Sequence, residues 1–328
     1  MENLTGGTPP VRYLPCVVPC KLYFTEQKKA QVNDMKNNSA RSALLILLAG
    51  ALWGTMGIFV RRFYSFGFDA MQVASMRLTA GAVIFIIVLA LRGGKGFKIA
   101  VRNIPLFLGL GLGSVLFFTV CYFKSIEMLP LSIAAILLYT SPIWVTLMSV
   151  LFFKERLTLR RVAALVLAFG GCVLVSGLGG GGLTPLGLLI GLCSGIGYGL
   201  YSILGSVALR KYEPLTVTTY AFLFSAAGSW FICRPAEMLS IASSLPPLSF
   251  ALDVLSIAVV TAVAPYLLYT LGLKNTPASK AAIMATVEPL VATVLGIVVF
   301  SEPLTPAAAA GIILILAAIV LLNAHRKE

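Results

Sequence analysis

The chain has 328 residues, 59% hydrophobic and only 11% charged, with a mean hydropathy of +0.95 and a formal net charge of +13. A soluble fold of this length could not keep so much apolar surface from water, so lipid is the expected solvent. The positive charge does not point to nucleic acid, because Lys and Arg sit in short segments between apolar runs, where they set membrane topology.

Residues 1–42 form a polar, irregular tail whose apolar patch, 13–24, is broken by Pro15, Pro19 and Lys21 and fits neither a span nor a signal-peptide core. Met35 is followed by KNNSARSALLILL, itself a reasonable start, so residues 1–34 read as dispensable tail or an overlong gene model. Ten apolar spans follow, near 43–62, 70–91, 104–127, 131–153, 158–177, 185–209, 214–233, 251–273, 278–300 and 304–323. Each is close to the ~20 residues that cross a bilayer core. They divide into five-helix halves at 43–177 and 185–323, separated by a Gly-rich joint at 178–184, with a short tail at 324–328. The longest connection is 234–253, with Pro235, Pro246 and Pro247. If the N-terminus is cytoplasmic, 20 of the 25 Lys and Arg fall on the inner side. The expectation is a multi-pass protein of the plasma (inner) membrane with both termini cytoplasmic.

The stretch 122–158, YFKSIEMLPLSIAAILLYTSPIWVTLMSVLFFKERLT, is written again without a gap at 269–305, with 12 identities in 37 positions. They include Tyr122/Tyr269, Pro130/Pro277, Ser132/Ser279, Pro142/Pro289, Glu155/Glu302 and Thr158/Thr305. Two prolines and a glutamate in register mark a duplication. Because each half holds an odd number of crossings, the second must insert upside down. The expected fold is an all-α integral membrane protein of ten transmembrane helices in two inverted repeats, an arrangement suited to alternating access about a central site.

The phrases LSIAAILLYTSPIWVTLMSVLFFKERLT and ASKAAIMATVEPLVATVLGIVVFSEPLT, the pair Trp53-Gly54 and the segment MRLTAGA around Arg77 resemble the drug/metabolite transporter superfamily, specifically its EamA-type members, over about residues 43–323. The resemblance implies a carrier of small metabolites such as amino acids, their derivatives, nucleobases or sugars, often moved outward.

Helix rise places Trp53, Tyr198, Ser141 and Glu288 near the bilayer midplane. Ser141 and Glu288 are repeat mates, and Trp53 and Tyr198 nearly so, which makes the four a candidate substrate site. Glu288 is the one acid deep in a span, a placement that is costly in lipid, and so a candidate for proton coupling or for a cationic substrate group; the bland alternative is a residue tying helices together. Arg77 is the one base well inside a span, suited to a carboxylate or phosphate, to pairing with Glu288, or to snorkelling toward headgroups. Pro142 and Pro289 should kink their helices and free the carbonyls of Leu138 and Ala285, either into a hydrated cavity or merely for packing. Tyr122 and Tyr269 are candidate gates or interfacial anchors, with Tyr139, Tyr201, Tyr220 and Tyr266 ranked below them. Glu155 and Glu302 are expected to meet the dipole of the following helix, and Lys124 with Glu127 to form a surface ion pair. The glycine rows Gly50/Gly54 and Gly191/Gly195/Gly199 are small faces for close helix packing.

Cys16 and Cys20 lack companion ligands, the other four cysteines read as small hydrophobes, and the only histidine, His325, lies in the tail. No catalytic set, metal site, disulfide or cofactor is expected. The expected partners are a small-molecule substrate, the lipid bilayer and a proton as candidate coupling ion; nucleic acid is not one, and the state is monomer or homodimer. The leading reading is therefore a metabolite carrier, with export of amino acids first. A drug or lipid/glycolipid exporter is the alternative transport reading, and an intramembrane enzyme or a structural membrane protein the alternative of a different class.

Overall fold

The computed structural model describes residues 39–177, 184–301 and 303–323, and among them every regular element is helical. Ten long helices are α1 (Ser39–Ser65), α2 (Ala70–Leu91), α3 (Val101–Met128), α4 (Leu131–Phe153), α5 (Leu159–Ser176), α6 (Pro185–Ala208), α7 (Pro214–Ser229), α8 (Pro247–Leu273), α9 (Ala278–Phe300) and α10 (Pro306–Asn323). Nine of these have the length and hydropathy of a membrane span, whereas α7 has 16 residues, ending short of the expected 233. The expectations for residues 1–34, for positions 178–183 of the joint, for Glu302 and for His325 lie outside the described residues.

Three contacts between the halves show that α7 crosses too. Arg62, near the end of α1, holds Asp253 in the first turns of α8 through Nε–Oδ1 and Nη2–Oδ2 contacts of 2.7 and 2.9 Å. Asn103 Nδ2 and the Ala100 N–H, at the start of α3, donate to the Tyr212 hydroxyl just beyond α6, at 2.5 and 3.2 Å. These donors, Asn103 foremost, hold the Tyr212 hydroxyl below the usual tyrosine pKa range. Ser279, in the first turn of α9, donates to Glu155 just beyond α4, at 2.5 Å. Each contact puts the end of one helix and the start of another on one face. With α2 crossing from the α1 end to the α3 start, the α6 end and the α8 start fall on opposite faces, so α7 must join them across the bilayer. The second half then enters from the face opposite to that of α1, and the repeats are inverted.

The duplication is visible in detail. α4 is interrupted at Tyr139-Thr140 and α9 at its mate Thr286. Both end on a left-handed residue, Lys154 at φ 54° and its mate Ser301 at φ 56°. Thr158 and Thr305 recur because both cap the following helix, accepting from the N–H of Arg161 and Ala308 at 3.3 and 3.1 Å. Wide π-turns lie at Gly109–Leu116 in α3 and Val259–Val263 in α8, which overlap under the 147-residue shift. Such bulges are frequent at functional sites. α2 packs on α7 and α5 on α10, each helix against its own mate.

The region 234–253 is not the loop expected. Pro235 and Pro247 occupy first-turn positions, where a missing N–H costs nothing and the fixed φ favours entry, so they start the short helix Pro235–Ser243 and α8.

Candidate functional site

Trp53 of α1 and Tyr198 of α6 meet edge-on with ring centroids 6.1 Å apart. Trp53 also packs on Tyr266 at 5.1 Å and Tyr269 at 5.5 Å, both from α8. Tyr201 closes the ring of aromatics, 5.1 Å from Tyr266. Together with Ser141, Ser202, Ala282 and Ala285 these side chains line a central cavity of about 20 Å³, room for about one water molecule. Its walls come from α1, α4, α6, α8 and α9, and hence from both repeats.

The tyrosine hydroxyls are tied down. Tyr201 shares a hydrogen bond with Thr270 Oγ1 at 2.9 Å and Tyr269 one with Ser202 Oγ at 2.7 Å. The Tyr198 hydroxyl donates to Glu288 Oε2 at 2.9 Å, which connects the carboxylate to the cavity wall. Glu288 begins the second segment of α9 and keeps part of its surface open. Arg77 neither snorkels nor pairs: it is 3% exposed, and among the described residues no carboxylate lies within 4 Å of it. Its Nη1 donates at 3.4 Å to the Thr261 carbonyl inside the π-turn of α8, and its Nε has no partner among the described residues.

Each proline kink carries a threonine cap on a carbonyl near the one that the proline frees. Thr140 Oγ1 and Thr286 Oγ1 each donate at 2.6 Å to a carbonyl three residues back, Leu137 and Ile283. The carbonyls opposite Pro142 and Pro289 lie against glycine: a Cβ on Gly195 would stand 3.4 Å from Leu138 O, and one on Gly50 3.0 Å from Ala285 O. The kinks thus seat α4 on α6 and α9 on α1.

The structure brings Trp53, Ser141 and Tyr198 together at the cavity, with Glu288 one hydrogen bond behind and Arg77 buried on the α2 side. Tyr269 lies in the cavity wall, while its mate Tyr122 is half-buried beside Phe123, ring centroids 5.9 Å apart. Tyr266 and Tyr201 also line the cavity, as does Ser202, while Thr270 bonds Tyr201; Ser202 and Thr270 were not among the expected residues. Their signal is a polar stripe at helical spacing, 198/201/202 on α6 and 266/269/270 on α8, in otherwise apolar helices. Glu155 reaches the first turn of α5, where its Oε2 accepts from Arg161 Nη1 at 2.9 Å, and it also accepts from Ser279 of the other repeat. Lys124 and Glu127 do form an exposed ion pair at 2.8 Å.

The model of the EamA-like transporter family matches the chain twice, over residues 40–177 and 185–324. The chain belongs to that family. It is a multi-pass membrane transporter, similar to an uncharacterized transporter of Archaeoglobus fulgidus, with 29% identity over 84% of this chain and 94% of the relative. It is also similar to the uncharacterized transporter YvbV of Bacillus subtilis, with 24% identity over 88% and 93%. A solved crystal structure shares the fold with a TM-score of 0.72 over 86% of this chain and 96% of that one, at 20% identity.

Proposed function

We propose that this EamA-like transporter carries small zwitterionic metabolites, amino acids first, by alternating access around the Trp53–Tyr198 cavity. The observation behind the reading is that a buried base, Arg77, and a half-buried acid, Glu288, stand behind the walls of one aromatic cavity without pairing with each other. Arg77 offers a guanidinium with an unpartnered Nε for a carboxylate. Glu288, with the faces of Trp53, Tyr198 and Tyr266, offers an anionic and π-rich setting for an ammonium group. A cavity of about 20 Å³ is closed to such a solute; sites for small molecules measure a few hundred Å³. Cargo therefore enters only when the repeats move apart, as an inverted pair can do toward either face. Export from the cytoplasm, cytoplasmic termini and coupling through a proton on Glu288 complete the proposal.

The test is counterflow of a labelled amino acid in liposomes, with unlabelled amino acids, nucleobases, sugars and hydrophobic cations as competitors, at two pH values. Competition by amino acids carrying both charged groups supports the reading. The aromatic walls beside Glu288 favour a pump for hydrophobic cations as a second reading, which competition by such cations alone would select.

A further inference from the structure

The Glu155–Ser279 contact joins the repeats between the end of α4 and the start of α9 and nowhere touches the cavity itself. Glu155 sits in the connection after α4 and its side chain is 15% exposed. Arg161 in the first turn of α5, at 2.9 Å, and the Ser279 hydroxyl, 1% exposed, both donate to the same carboxylate oxygen, Oε2. Ser279 lies one turn before Ala282 and two before Ala285, the α9 residues in the cavity wall. A pull on Ser279 is therefore a pull on the wall.

The mate position behaves differently. Ser132 in α4 is half-buried and makes no side-chain hydrogen bond among the described residues. The α9 segment Ala278–Ala285 is buried at every residue but Lys280, whereas its mate Leu131–Leu138 is buried only at Ala134 and Leu138. Of two equivalent half-helices, the second is hydrogen-bonded to the opposite repeat through its serine; the first only packs on α6, with no such bond among the described residues.

We infer that Glu155 is a positioning residue, a latch that holds the first half of α9 through Ser279 and shuts the cavity mouth on the Glu155 face. The inference rests on the alternating-access reading. Release of Ser279 frees α9 to swing from the α4–α5 connection, and Arg161 keeps the carboxylate aimed for its return. The latch thus sets how the protein divides between states open to either face, without contacting cargo.

The experiment places a single cysteine at Ala282 in the full-length protein with the native cysteines replaced, and labels it with a membrane-impermeant thiol reagent in vesicles of each orientation. The parent is expected to react from the opposite face and to be protected from the Glu155 face. Ser279→Ala, which removes one hydroxyl, and Glu155→Gln, which weakens the hold of Arg161, should each raise labelling from the Glu155 face at least several-fold, with the melting temperature near that of the parent. Equal labelling of the parent from both faces shows the Glu155 face unshut and overturns the latch, whereas a parent that counterflows cargo yet labels from neither face overturns alternating access around this cavity. A sided parent whose Ser279→Ala derivative keeps the same sidedness overturns the latch, as does a rise from both faces together, which is loosening of the bundle.

Discussion

Leu131–Leu138 and Ala278–Ala285 are one eight-residue half-helix written twice, and the molecule treats them differently. The second is packed among five partners, α4, α5, α6, α8 and α10, while the first presents Leu131 62% exposed. Downstream of the kink the contrast is chemical: Ser141 in the first repeat, Glu288 in the second. Duplication therefore supplied the frame, with kinks, caps and π-turns in register, and divergence put the charge on one side only. Arg77 fits the same pattern, since its counterpart at the 145-residue offset that relates Trp53 to Tyr198 is Phe222, which packs on Tyr266 at 4.8 Å.

That contrast can be broken most severely at the kink. Glu288→Gln should lower transport roughly 100-fold and remove its response to a proton gradient, since losing a buried charged partner costs about 2–5 kcal/mol. Ser141→Ala at the mate position should cost less than roughly fivefold, the worth of a neutral hydrogen bond. Initial rates in proteoliposomes with and without a pH gradient measure both; equal losses would erase the asymmetry.

The glycines beside the two kinks give the next effect. A Cβ on Gly54 would stand 2.7 Å from the Glu288 carbonyl and 2.8 Å from Val291 Cβ, both attached to rigid backbone. On Gly199 it would meet a movable Val145 methyl at 2.9 Å and the Ser141 carbonyl only at 3.3 Å. Gly54→Ala should therefore destabilise by about 1–3 kcal/mol and Gly199→Ala by less, read as melting temperatures of the purified proteins.

Arg77→Lys keeps a charge and loses the planar fork, so it should raise KM about tenfold with little change in maximal rate. The smallest effect belongs to the tyrosine pair. Tyr269→Phe loses its bond to Ser202 and should slow transport about threefold, close to 1 kcal/mol or less, while Tyr122→Phe should change it little. A larger loss at Tyr122 would return that residue to the gating role.

Much of this was legible in the sequence because lipid imposes few solutions. Span length, the doubled stretch and the odd helix count led to ten crossings and an inverted fold before any coordinates. Trp53, Ser141, Tyr198 and Glu288 could be picked by depth, since polar groups at the midplane of apolar helices stand out. Depth does not report rotation about the helix axis, and so Tyr201, Ser202, Tyr266 and Thr270 were ranked low or missed although they lie within a turn of Tyr198 or Tyr269. The contact between Glu155 and Ser279 was unforeseen for a different reason. Ser279 is 124 residues away from Glu155, and no local pattern announces a contact between repeats. Pro235 and Pro247 were read as breakers where they start helices, because proline punctuates a chain without saying which side is helical.

The central claim is that cargo binds at Trp53 between Arg77 and Glu288. The chain has three tryptophans, so replacing Trp144 and Trp230 by Phe leaves Trp53 as the sole reporter in the cavity. Titration of this protein with the amino acids that drive counterflow should give a saturable change in Trp53 fluorescence, absent with non-competing solutes and abolished by Glu288→Gln and by Arg77→Gln. Counterflow that proceeds while Trp53 stays silent, or a response that survives both substitutions, would contradict it.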